Sequence, residues 1–174
     1  MRLLVAGVGN LLKGDDGFGV RAAEALKADR RLPSDVTVLE TGIGGMHLVQ
    51  ELMQGYDAVL LFDAFERGGK PGQLFVLEPQ LPDLGNLSAG EQRDFFAETH
   101  YAVPLRALTL AREIGALPPI IRIIGCQPAD ADAFGAPMHP KVVEAIGPAV
   151  DLALEVIGNL IGAIRRQASG SPAR

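Results

Sequence analysis

A chain of 174 residues with 48% hydrophobic content can bury one full core but is short for two, so one domain over residues 1–166 is expected. Its 16 basic and 21 acidic residues give a formal charge of -5. With no dense Lys/Arg run, nucleic acid is excluded as the expected partner. The single cysteine, Cys126, rules out an internal disulfide and favours a reducing compartment, so the expected location is the cytoplasm.

Residues 3–6 form a short apolar run closed by Gly7-Val8-Gly9-Asn10, which predicts a strand buried on both faces of a parallel sheet rather than a signal peptide. Phe18, Val20, Ala22, Ala23 and Leu26 then supply the apolar face of a helix over 17–28. A second strand is predicted over 36–40, a turn over 42–45, and a helical stripe from Met46, Leu48, Val49 and Leu52. Residues 58–62 are the most apolar strand, with Asp63 at its C-terminal end. The strand predicted over 72–77 follows so soon that an antiparallel hairpin is expected.

Residues 78–98 are rich in Pro, Gly, Asn and Asp and are read as a long loop of the kind that is functional or disordered. A helix over 104–113, a fifth strand over 120–124 and a final helix from Pro140 to about residue 164 complete the order. That last helix is apolar but broken by Glu144, Pro148, Asp151 and Glu155, so no membrane span is expected. Residues 167–174 are expected to be a disordered tail. The fold class implied is α/β: a three-layer α/β/α sandwich over a mostly parallel five-stranded sheet with one antiparallel strand.

Ligands in such folds gather at the carboxyl ends of the strands, which selects residues 7–19, the segment after Asp63, and the segment from Gly125. Gly7-x-Gly9 invites a dinucleotide site, but the third glycine of that fingerprint falls on Leu12, and Asp15 and Asp16 stand where phosphate would approach. Helix capping explains one of these two acids well. The other, followed by Gly17 and Gly19, is harder to explain that way. Strands one and three are neighbours in sequential βαβ units, which brings Asp16 and Asp63 to one rim, where they could act as acid and base or bind a cation.

His100, at the end of the long loop, is the candidate imidazole ligand. His47 fits an exposed helix face and His139 a helix cap. No His-Glu-x-x-His or Gly-x-Ser-x-Gly motif occurs, and Cys126, although it could pair with a histidine, is more simply a small buried thiol.

The stretch from Gly7 to Val20, GVGNLLKGDDGFGV, resembles the N-terminal signature of the hydrogenase maturation endopeptidases. Thr41-Gly42-Ile43-Gly44-Gly45-Met46 is similar to the family's glycine-rich turn, and Leu61-Phe62-Asp63-Ala64 to its second acid-bearing strand end. Thr99-His100 occupies the order of its histidine, and Gly125-Cys126-Gln127-Pro128 with His139-Pro140-Lys141-Val142 resembles its closing segment. The resemblance implies a peptidase that removes the C-terminal extension of a [NiFe]-hydrogenase large-subunit precursor. Nickel arrives with the substrate, gripped by Asp16, Asp63 and His100, and Asp16 or Asp63 serves as catalytic base in an aspartyl-like hydrolysis.

The family's first acid is often Glu, so Asp16 reaches one methylene less. Its closing segment often has Leu-Ser where this chain has Met138-His139, which keeps His139 open as a second candidate. A monomer is expected. Two rivals stand beside this implication: a metallohydrolase holding its own metal, and a non-enzymatic checkpoint that docks on the precursor.

Overall fold

The computed structural model describes residues 1–91, 93 and 103–169. The apolar run at the N-terminus forms β1 (Leu3–Val8), buried at every residue. It pairs in parallel with β2 (Val36–Gly42) on one side and β3 (Ala58–Ala64) on the other. Beyond β3 lies β5 (Ile120–Cys126), also parallel, and β4 (Leu74–Leu77) closes the edge antiparallel to β5. The strand order is β2-β1-β3-β5-β4.

Alternation along the central strands feeds two cores. Leu3, Val5, Leu60 and Phe62 face α1 (Phe18–Lys27) and α4 (Pro140–Ser169), whereas Leu4, Ala6, Val59 and Leu61 face α2 (Gly45–Leu52) and α3 (Val103–Glu113). The expected three-layer arrangement is therefore present. In α4 the side chains of Val142, Ala145, Ala149, Val150, Ala153 and Ile157 are buried against the sheet. It is the one described helix long and apolar enough to cross a bilayer by length and composition; its apolar stripe is core.

Several expectations need correction. β3 and β4 do not form a hairpin, because β5 inserts between them and takes the ladder of both. β2 runs two residues further than predicted, to Gly42. Met46 is not part of the buried stripe of α2: it is exposed, and Leu48, Val49 and Leu52 carry the packing. Residues 78–98 are not all loop. A short 3-10 turn spans Leu84–Asn86, and helix begins at Ala89. There Ser88 and Glu91 exchange bonds, Ser88 N–H to the Glu91 carboxylate at 2.8 Å and Glu91 N–H to Ser88 Oγ at 3.3 Å. This is a capping box of the Ser-x-x-Glu kind. α4 continues to Ser169, into the stretch expected as tail, and residues 170–174 lie outside the described part.

Candidate active site

The loop after β1 folds back tightly on the sheet. A β-carbon on Gly19 would overlap the carbonyl oxygens of Val8 and Phe62, and one on Gly9 would overlap the carbonyl of Asp16. Gly9 also sits at φ 130°, a region that favours glycine. These bare positions let α1 start directly over the ends of β1 and β3. A 3-10 turn at Gly14–Gly17 precedes it and carries both acids.

The two acids of that turn have different surroundings. Asp15 is 2% exposed. Its Oδ2 accepts from the N–H groups of Ala129 at 2.7 Å and Asp130 at 3.2 Å, and its Oδ1 from that of His139 at 2.6 Å. Capping was the expected role for one of the pair, yet neither side chain caps its own turn or α1. Asp15 instead fastens a loop that lies more than a hundred residues away in sequence. Asp16 is half-buried, and its Oδ2 accepts the Asn10 N–H at 2.8 Å.

Asp63 sits opposite Gly125 in the β3–β5 ladder and is 5% exposed. Burial pushes its pKa well above the usual carboxylate range, the Asp16 charge pushes it further, and the Ala64 N–H acts the other way. Burial also raises Asp16, opposed by the Asn10 N–H and the Lys13 ammonium. The 3-10 turn that carries Asp16 packs against β3, which carries Asp63. Two neighbouring carboxylates that resist ionisation suit a cation or proton-transfer chemistry.

The histidines divide. His100 lies outside the described residues, so the expected third ligand has no position here. His47 is exposed on α2, as expected. His139 caps α4: its Nδ1 accepts the Lys141 N–H at 3.2 Å. Among the described residues no group of three His, Cys, Asp or Glu side chains could hold a metal. Cys126 is fully buried, and burial pushes its thiol up to about 12, which disfavours the thiolate a cysteine peptidase needs.

A further buried polar side chain on this rim was not foreseen from the sequence. Gln127, 7% exposed, follows β5 directly. Its Oε1 accepts from Arg67 N–H at 2.7 Å and Gly69 N–H at 3.1 Å, and its Nε2 donates to the Pro128 carbonyl at 3.1 Å. The sequence signals were its place directly after a buried strand end and within the Gly125-Cys126-Gln127-Pro128 segment, neither of which assigned it a role.

The family model for hydrogenase maturation protease matches residues 20–156. The chain belongs to that family. It is 36% identical over 157 residues to the hydrogenase expression/formation protein HupD of Bradyrhizobium diazoefficiens, covering 90% of this chain and 78% of that one. Among solved structures, the hydrogenase maturating endopeptidase HybD from E. coli superposes with a TM-score of 0.72 at 27% identity, covering 91% of this chain and 93% of that one. The [NiFe] hydrogenase maturation protease HycI from Thermococcus kodakarensis gives 0.68 at 27% identity, with 90% and 92% covered. This hydrogenase maturation protease is therefore a peptidase. The family match begins after Asp16 and so does not bear on that acid.

Proposed function

We propose that this hydrogenase maturation protease removes the C-terminal extension of a nickel-loaded [NiFe]-hydrogenase large-subunit precursor, and that Asp16 and Asp63 recognise the nickel the substrate brings. The observation that carries this reading is the coupled pair itself, a buried Asp63 held toward its neutral form beside Asp16. A buried acid of raised pKa is a poor ligand until a positive charge arrives. Approach of a metal cation reverses the balance, drives the proton off and gives a carboxylate that ligates or acts as base. Two carboxylates with an imidazole, the role assigned to His100, make a weak solitary nickel site but good added ligands for nickel already held by thiolates. Water would then attack the scissile carbonyl, which the substrate's nickel would polarise; Asp16 or Asp63 would take the water's proton and return it to the amine that leaves as the C–N bond breaks. The same reading places the enzyme in the cytoplasm as a monomer, with the precursor as its partner.

The test is the mass of the precursor before and after incubation with the enzyme, with and without nickel in the precursor. Shortening confined to the nickel-loaded form supports the reading. An unshortened nickel-loaded precursor overturns the cleavage, and equal shortening without nickel overturns the recognition. Stoichiometric metal in enzyme purified without substrate would instead favour a resident metal centre.

A further inference from the structure

The connection from β5 to α4, residues 127–139, is tied at two points by buried polar side chains. Asp15, on the loop that carries Asp16, accepts three N–H groups from it. Gln127, at its start, accepts two N–H groups from the loop that leaves β3 just after Asp63. Phe65 N–H adds a bond to the Cys126 carbonyl at 2.9 Å, in the same seam. Both segments bearing the proposed working acids are thus fastened to one connection, from opposite sides.

We infer that Asp15 and Gln127 are positioning residues that together set the separation and aim of Asp16 and Asp63. This rests on the reading of Asp16 and Asp63 as the working acids. Neither Asp15 nor Gln127 needs to touch substrate. Removing Asp15 or Gln127 leaves part-buried N–H groups without their acceptor, and the loops that carry them then shift to find water. Misplacement of a reacting group by about 1 Å lowers a rate by roughly a hundredfold. Ordinary staples of the fold would act otherwise: their loss lowers stability while the molecules that remain folded keep their turnover rate.

The experiment compares Asp15→Ala, Asp15→Asn, Gln127→Ala and the double variant Asp15→Asn/Gln127→Ala, each as the full chain, on nickel-loaded precursor. Far-UV circular dichroism and an unfolding transition report which are folded. For folded variants kcat is expected to fall on the order of 10- to 100-fold with KM held within about threefold. Asp15→Asn, which keeps one carbonyl acceptor, should retain more activity than Asp15→Ala. The double variant should fall by less than the product of the single losses, because both act on one distance. Hydrogen exchange should quicken at the amides of residues 67, 69, 129, 130 and 139 ahead of the rest of the chain.

Wild-type kcat in the folded variants overturns the inference, as does a change confined to KM. If Asp15→Ala does not fold, Asp15→Asn and Gln127→Ala decide between the two outcomes. Asp16→Asn is the control: a variant that still processes precursor removes the working-acid reading, whereas an inactive one beside fully active brace variants removes only the positioning role.

Discussion

The turn that carries Asp15 and the strand end that carries Asp63 reach the same rim, and both acids are hidden from water, at 2% and 5% exposure. Asp15 is surrounded by donors: three N–H groups converge on its two oxygens. Asp63 is opposed by burial and by a second carboxylate, with the Ala64 N–H in its favour. Burial alone therefore does not mark the functional acid. What separates the two is their hydrogen bonding: Asp15, with three N–H donors, ties a distant loop, whereas Asp63 is the acid proposed above for the chemistry.

The widest separation is expected in activity. Asp63→Asn and Asp16→Asn should each lower precursor processing by on the order of 10²- to 10⁴-fold, the range for loss of a general base. Gel shift or mass of the precursor reads this directly, and near-normal processing by either variant would remove that residue from the site.

Next comes a difference of sign in stability. Asp15→Ala leaves three N–H groups without an acceptor and should destabilise by about 1–3 kcal/mol, measured by urea unfolding. Asp63→Asn should instead stabilise the protein at neutral pH, since it deletes a disfavoured buried charge. If both variants lose stability alike, the contrast between the two acids fails.

The pH dependence sharpens the same point. The pKa of Asp63 is raised in the folded state, so its contribution to stability is fully present below the unfolded carboxylate value of about 4 and is lost as pH rises through the folded value. The Tm advantage of Asp63→Asn over the wild type should thus be small at acid pH and grow toward neutrality. A constant gap would contradict the raised pKa. The smallest effect is expected for Cys126→Ala, which should leave processing within about twofold of wild type, since a buried thiol held in its neutral form takes no part in the chemistry.

Much of this was legible in the sequence where signals are local. The buried strands, the helix over Phe18 and its neighbours, and the glycines that open the first loop all announce themselves through runs and periodicity. Asp16 and Asp63 could be paired because the right-handed βαβ rule makes β1 and β3 neighbours. The partner of β4 could not, since short spacing suggested β3 while β5, more than forty residues later, lies between them and pairs with both. The bonds of Asp15 were hidden for a similar reason: their donors lie 114 to 124 residues away and are backbone groups, which have no sequence signature. The capping box at Ser88 and Glu91 was present in the sequence but hidden in a Pro- and Gly-rich stretch. His100 falls outside the described residues, so its proposed part in the grip is carried by the sequence alone, through its place before a helix and the resemblance.

The clamp on residues 129–139 is made from main-chain N–H groups, and that has a consequence for how this protein can change. Every residue except proline supplies the same N–H, so these bonds to Asp15 do not depend on the side chains that carry the donors, although Asp132, paired with Lys13 at 3.0 Å, adds a side-chain tie. Phe134, 74% exposed near the tip, projects beside a segment tied to Leu12 by the Gly135 N–H. An exposed side chain such as Phe134 can therefore change without disturbing the three bonds beneath it, much as a tool head is exchanged on a fixed handle.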